Sequence, residues 1–200
     1  MPVSKRISLT WTGHVNKWKD CKLCPLGGQR DRIVLARGTV PCDVLFIGEA
    51  PGASEDAIGL PFVGPAGSLQ DSIIEQALPR TSYALTNLVA CLPREAKLAG
   101  YNEPDASEIR ACRTRLVEFI NLASPKLIVR VGILASTWVQ DRLGIQFVDI
   151  VHPAAILRMP LAQRQMAIQK SVVILRNAVE DMVVSDKRTA YNTEDVDIPF

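Results

Sequence analysis

Five cysteines, two histidines and one glycine-rich, acid-bearing stretch hold most of the reactive chemistry in this 200-residue chain. Cys21 and Cys24 form a C-x-x-C pair, followed by Pro25 and Gly27-Gly28. Alone, such a pair serves as a redox couple, half a zinc site or half a cluster site. No thioredoxin-like βαβ context surrounds it, which argues against the redox couple. A four-sulfur site would draw its second half from Cys42, Cys91 and Cys112. Cys42 abuts an apolar run and reads as a small buried residue. Cys112 falls on the apolar stripe of a helical pattern, so a core position is also open to it. In Gly48–Asp71, five glycines (Gly48, Gly52, Gly59, Gly64, Gly67) and three prolines (Pro51, Pro61, Pro65) surround Glu49, Glu55, Asp56 and Phe62. Neither a Walker-type nor a dinucleotide-type glycine pattern occurs there. Acids repel phosphate, whereas one aromatic ring beside flexible backbone suits stacking on a flat neutral ring. Asn87 and His152 each follow a strand-like run and offer hydrogen-bonding groups at its end.

These residues need a scaffold, and the apolar patterning supplies one. Asp43–Ile47 reads as a buried strand feeding the glycine-rich stretch, and Leu69, Ile73, Ile74 and Ala77 then step at helical spacing. Ser82–Val89 is a second strand, delivering Thr86 and Asn87 to its end with Cys91 just beyond. Pro93–Ser107 reads as a polar surface excursion. Asp105–Ala123 is helical, with Arg110, Arg113 and Arg115 on its face. Lys126–Val131 is a third strand, ending at Gly132 before a helical Ile133–Arg142. Gln146–Val151 is the fourth, and His152 leaves its end. Before the first strand, Trp11, His14, Val15 and Trp18 fit a short amphipathic helix with His14 as a surface or packing residue. Gln29–Pro41 carries a short strand around Ile33–Leu35. Gln163–Val184 is a final amphipathic helix, and Ser185–Phe200 lacks periodicity and reads as a disordered tail. The alternation predicts an α/β fold: a central parallel four-stranded sheet with helices on both faces, its ligands beyond the carboxyl ends of the strands.

Composition agrees with one domain over residues 1–184 and a tail over 185–200. The chain is 48% hydrophobic and 22% charged, enough to bury a sizeable core. A net charge of +2 does not by itself announce a nucleic-acid binder, so a local basic strip would have to supply that affinity. No apolar run reaches membrane-spanning length, and the N-terminus lacks a secretory h-region. A cytoplasmic monomer is expected, in a compartment where cysteines point to metal more than to disulfides.

GEAPG at Gly48–Gly52 followed by PFVGPAG at Pro61–Gly67 resembles the first motif of the family 4 uracil-DNA glycosylases, the iron–sulfur branch of that superfamily. The likeness spans roughly Asp20–Met182. It implies the family's three-layer sandwich fold and a monofunctional glycosylase that flips deoxyuridine from DNA and hydrolyses its N-glycosidic bond. It also implies that Cys21, Cys24, Cys91 and Cys112 hold a 4Fe-4S cluster, with zinc the chemical alternative for four thiolates. Asn87 would pair its carboxamide with uracil O4 and N3–H, which cytosine presents with reversed polarity. His152-Pro153 opens the family's second motif, so His152 would donate to uracil O2 as charge develops there. Phe62 would stack on the base. Backbone at Glu49, Ala50 and Gly52 would lie near it, and Glu55 would stand near uracil C5 and help exclude thymine. Ala50 occupies the place of the water-activating aspartate of family 1 enzymes, which leaves Glu49 as the nearest acid to the sugar. Ile156, Leu157 and Arg158 would form an apolar wedge and a phosphate contact. A different class of function, a non-catalytic cluster-bearing module that recognises uracil or single strands, fits the same residues without turnover. A form covalently attached to its abasic product is disfavoured, because Leu92–Glu108 holds no histidine. Asp197, Ile198, Pro199 and Phe200 resemble the acidic tip of bacterial single-stranded DNA-binding proteins and imply docking on proteins that bind that tip.

Overall fold

The computed structural model describes residues 10–93, 103–140 and 145–194, with side chains to residue 182. Among these, five strands form one sheet: β1 (Arg37–Gly38), β2 (Val44–Gly48), β3 (Tyr83–Asn87), β4 (Leu127–Val131) and β5 (Gln146–Ile150). Their order is β1-β3-β2-β4-β5. β2 pairs in parallel with both β3 and β4, and β4 with β5. The four expected parallel strands are therefore present, and the strand count is corrected by one: the Gln29–Pro41 segment adds β1, an antiparallel edge to β3, at Arg37–Gly38 rather than at Ile33–Leu35. The chain runs from β2 outward to β3, then crosses back to β4 on the other side of β2. That reversal is the switch point at which α/β sheets open a crevice at the strand ends.

Side chains alternate across the sheet as a two-residue period demands. Val44 and Phe46 of β2, Leu85 of β3, and Leu127, Val129 and Val131 of β4 enter one core. There they meet helices α3 (Pro65–Ala77), α6 (Pro153–Arg158) and α7 (Leu161–Glu194). Leu45, Ile47, Ala84 and Ile128 enter the opposite core, against α4 (Ala106–Ala123) and α5 (Ile133–Trp138). The helices start where local chemistry allows. Asp105 accepts from the amides of Ser107 and Glu108 while Glu108 accepts from the amide of Asp105, a reciprocal cap on α4. Pro65 begins α3, where a missing N–H costs nothing.

Three expectations change. The stretch after β2 contains a short helix, α2 (Ala53–Ile58), closed by Gly59 at φ 86°. His152 leads into α6 rather than an open loop, and Ile156 is fully buried in the core. α7 continues past Val184 to Glu194, since the intervening residues hold no proline or glycine to stop it. The predicted N-terminal helix is α1 (Trp11–Trp18), whose His14 is buried among Trp11, Trp18 and Phe119. Most of the Pro93–Ser107 excursion, and Asp197–Phe200, lie outside the described residues.

Candidate active site and four-cysteine cavity

The carboxyl ends of β2, β3 and β4 meet in one place, and glycine makes the meeting possible. Gly48 ends β2 directly opposite Asn87. It continues the row of Val44 and Phe46, so a Cβ there would point into the same face as Asn87. That atom would collide with Asn87 Oδ1 and the Phe62 ring. Asn87 and Phe62 are both buried, at 3% and 6% exposure. Phe62 adopts φ 56°, a left-handed conformation costly for a bulky residue. Three neighbours hold it there. Arg37 Nε and Nη2 donate to the Pro61 and Phe62 carbonyls at 2.7 and 3.0 Å, while its guanidinium pairs with Asp71 at 2.6 Å. The bare Gly67 packs on the Phe62 carbonyl. Glu55 Oε1 accepts from the amides of Val63 and Gly64 at 2.9 and 2.8 Å, and its Oε2 from that of Gly52 at 3.0 Å. Glu55 and Gly52 thus brace the stretch from inside.

His152 faces Phe62 across 6.4 Å between ring centroids, with 25° between the planes. Its Nδ1 accepts from the amide of Ala154 at 3.2 Å. That bond leaves the ring proton on Nε2. Burial lowers the His152 pKa, against an opposing pull from Glu55, so the ring is neutral at pH 7. Gly132, at φ 91°, lies so close that a Cβ would stand 3.0 Å from His152 Cβ. His152 shares a groove with Glu49, Ala50, Ile133, Arg158 and Lys170. Burial pushes the Glu49 carboxyl up to about 7, helped by Glu103 and opposed by Arg158. Glu49, Ala50 and His152 therefore line one groove with Arg158 exposed on its rim, while Phe62 lies buried beside the His152 ring and Asn87 buried beside Phe62 at Gly48. Ile156 is excluded from the groove, because a fully buried core residue cannot project as a wedge. Leu157 is half-buried.

Behind Asn87 lies a residue whose place the sequence does not reveal. Arg115, read from the sequence beside Arg110 and Arg113 on a face of its helix, is 1% exposed. Its Nη1 donates to Thr86 Oγ1 at 2.9 Å, and its Nη2 to the carbonyls of Asn87 and Leu88 at 2.6 and 2.9 Å. None of these partners is an anion. The same guanidinium lines a second cavity, walled also by Cys21, Cys24, Cys91 and Cys112. Arg30 Nη1 donates to Cys91 Sγ at 3.2 Å and to the Cys21 carbonyl at 2.7 Å. Burial pushes the Cys91 thiol up to about 11 and raises that of Cys24. Cys42 lies apart, packed into the sheet core. Among the described residues, no group of three or more His, Cys, Asp or Glu side chains is gathered as a site for a metal ion.

The family described as the uracil DNA glycosylase superfamily matches residues 37–176, which include all five strands and the residues lining the His152 groove. The chain belongs to the uracil DNA glycosylase superfamily. Its relatives include the type-4 uracil-DNA glycosylase of Pyrobaculum aerophilum, 30% identical over 165 residues, which cover 71% of this chain and 82% of that protein. The type-4 enzyme of Sulfurisphaera tokodaii is 35% identical over 132 residues, covering 65% and 58% of the two chains. That of Archaeoglobus fulgidus is 27% identical over 169 residues, covering 73% and 82%. Within this glycosylase superfamily fold, the match begins at β1, so Cys21 and Cys24 precede it. The sequence reading missed Arg37, Arg115, Ile133 and Lys170. The one available signal was Gly132, whose position at a strand end marks a close backbone approach.

Proposed function

We propose that this chain is a monofunctional uracil-DNA glycosylase acting in base excision repair, which releases free uracil from DNA and leaves an abasic site. The observation that carries the reading is the fixed tautomer of His152. With Nδ1 occupied by a backbone amide, Nε2–H is a neutral donor held in place. When the C1′–N1 bond breaks, its electron pair moves onto the base and charge grows on O2. A preorganised donor there stabilises the transition state more than the ground state. Asn87 reads O4 and N3–H, and Phe62 stacks on the ring. Glu55, with both oxygens engaged by backbone, acts at the base by fixing Phe62–Gly64. Water supplies the oxygen that joins C1′, and Glu49, titrating near 7, accepts its proton. Arg158 and Lys170 supply the local positive charge that the overall balance lacks.

We also assign the four-cysteine cavity to a 4Fe-4S cluster held by Cys21, Cys24, Cys91 and Cys112. Arg115 supports an anionic occupant, because its guanidinium is buried and its hydrogen bonds among the described residues go to a hydroxyl and two carbonyls. The thiols surround a cavity instead of converging on one point, which favours a cluster over a single zinc ion with four sulfurs at about 2.3 Å. Bound there, the cluster would tie the N-terminal segment and α4 to the end of β3.

Single-turnover cleavage of a uracil-containing oligonucleotide tests the activity. Binding without release of uracil would instead identify a non-catalytic uracil-recognising module. Iron and sulfide content with the visible spectrum of anaerobically purified protein tests the cluster, and zinc in stoichiometric amount would replace it. Among the described residues no helix is long and apolar enough to cross a membrane, and a cytoplasmic setting belongs to the same proposal. For Asp197–Phe200 we propose docking to proteins that bind the tip of single-stranded DNA-binding protein, through an arginine on the Phe200 carboxylate and a pocket for its ring. A labelled peptide covering Ser185–Phe200 should bind such proteins and lose affinity without Phe200; equal affinity without it would leave only a solubilising tail.

A further inference from the structure

Glu55 and Asp56 are consecutive acids on α2, and both are buried. Neighbouring residues on an α-helix point about 100° apart, so the pair faces two different parts of the molecule. Glu55 turns toward the Phe62 stretch, where it accepts from the amides of Gly52, Val63 and Gly64. Asp56 turns the other way. Both of its oxygens accept from the Asp31 amide at 3.1 Å, and Oδ1 also from the Arg32 amide at 3.4 Å. Burying a carboxylate is costly, and backbone amides offset that cost only while they are held in place.

The segment that carries those amides is anchored on both sides of them. Arg30 donates from Nη1 to the Cys21 carbonyl at 2.7 Å and to Cys91 Sγ at 3.2 Å, and from Nη2 to the Lys19 carbonyl at 3.2 Å. Farther on, the Val34 amide donates to the Ala90 carbonyl at 2.8 Å, and Thr86 Oγ1 to the Leu35 carbonyl at 2.7 Å. Arg30–Leu35 is thus a strap with no helix or strand of its own, fixed to the wall of the four-cysteine cavity and to the end of β3. Gly59, which closes α2, packs on the same strap, since a Cβ there would stand 3.4 Å from Arg32 Cδ. A six-residue helix has little stability of its own, so the position of α2 depends on what pins it. Asp56 pins it to the strap, and Glu55 passes that position on to Phe62–Gly64. Phe62 sits at positive φ with its ring facing His152, so a shift of α2 would misalign the stacking ring. A misplacement of about 1 Å that starts away from the chemistry can cost ~10²-fold in rate.

We propose that Asp56 is a positioning residue for base release: it pins α2 to the Arg30–Leu35 strap and so keeps the Phe62 ring, braced by Glu55, aligned with His152. The inference rests on the uracil-DNA glycosylase reading. The test compares single-turnover cleavage at saturating enzyme for the wild type, Asp56→Ala, Asp56→Asn, Glu55→Ala and the double variant Glu55→Ala with Asp56→Ala. Iron content and folded fraction serve as controls. Asp56→Ala should slow cleavage on the order of tenfold to a hundredfold with little change in DNA half-saturation, since Arg37 and Gly67 still hold Phe62. Asp56→Asn keeps one acceptor oxygen and should fall between the two; it decides the matter if the alanine variant does not fold. Because Asp56 acts through the stretch that Glu55 holds, the double variant should be little slower than Glu55→Ala. Amide hydrogen exchange at Val63 and Gly64 should quicken in Asp56→Asn, a readout that needs no cleavage. A residue that only staples the fold would lower Tm and leave the rate of the folded fraction unchanged. That result, effects that multiply in the double variant, or unaltered exchange at Val63 and Gly64 would overturn the proposal. A wild type that releases no uracil would overturn the glycosylase reading and the role of Asp56 in base release together. Wild-type cleavage with no Asp56 effect would overturn the role of Asp56 alone.

Discussion

The crevice around His152 and the cavity around the cysteines are built by opposite means. In the crevice, orientation is complete within the chain. A backbone amide fixes the His152 ring, Arg37 and Glu55 hold the Phe62 segment, and two glycines remove the atoms that would keep the side chains apart. In the cavity, four cysteines from three segments line one space beside a buried guanidinium whose hydrogen-bond partners among the described residues are all neutral. The first region is preorganised by its own backbone and side chains, whereas the second would gain a counter-charge from the cluster proposed to fill it. Arg115 belongs to both, lining the cavity on one side and gripping the Asn87 carbonyl on the other. Loss of the occupant should therefore be felt at the base-reading end of β3.

Breaking the cavity should produce the largest effect. Cys112→Ala is expected to lose iron and to unfold at lower temperature, whereas Cys42→Ala keeps its iron and costs about 1 kcal/mol or less, since it trims one small core side chain. Metal analysis and thermal unfolding of the pair decide this, and equal iron loss in both would remove the distinction between the two cysteines.

Breaking the crevice should spare the fold. His152→Ala is expected to slow single-turnover cleavage by ~10²–10³ with iron content and DNA binding retained, as for loss of one preorganised donor. A folded, iron-loaded variant that cleaves at the wild-type rate would end the role given to His152.

Arg115→Met strikes the shared wall. It leaves the Asn87 and Leu88 carbonyls and the Thr86 hydroxyl without their donor, at about 1–3 kcal/mol for a buried group left unsatisfied. Both iron retention and uracil cleavage should fall. A loss of stability with an unaltered cleavage rate in the surviving folded fraction would show that the two regions are independent.

The gentlest probe is pH. Burial raises the Glu49 pKa to about 7, so the carboxylate proposed to accept the water proton is lost as pH falls through that value. The His152 pKa is lowered, so His152 stays neutral over the same range. The cleavage rate should drop roughly tenfold per unit below pH 7, and Glu49→Gln should be slow and nearly flat there. A limb that survives in Glu49→Gln belongs to another group.

How much of this was legible in the sequence varies residue by residue. The four parallel strands showed through because β2 is a continuous apolar run and β4 one broken only by Arg130, with Gly48 and Gly132 at their ends. Asn87 and His152 stood out through the resemblance to the glycosylase motifs, since position alone also fits a turn-capping asparagine and a buried histidine. The two-residue β1 was too short to carry a period. The helical character of His152–Arg158 was obscured by its length, and with it the inward direction of Ile156.

The sequence by itself determined which residue types stand at which strand ends, the order of the elements, and a C-x-x-C pair with three further cysteines after it. Only the tertiary structure decided which of two isoleucines is uncovered, Ile133 or Ile156, and that Arg115 turns inward between the cysteines and Asn87. It alone decided that Phe62 is held at positive φ. The reason is physical: periodicity records the face of one element, whereas exposure, charge pairing and strain depend on what neighbouring elements place against that face.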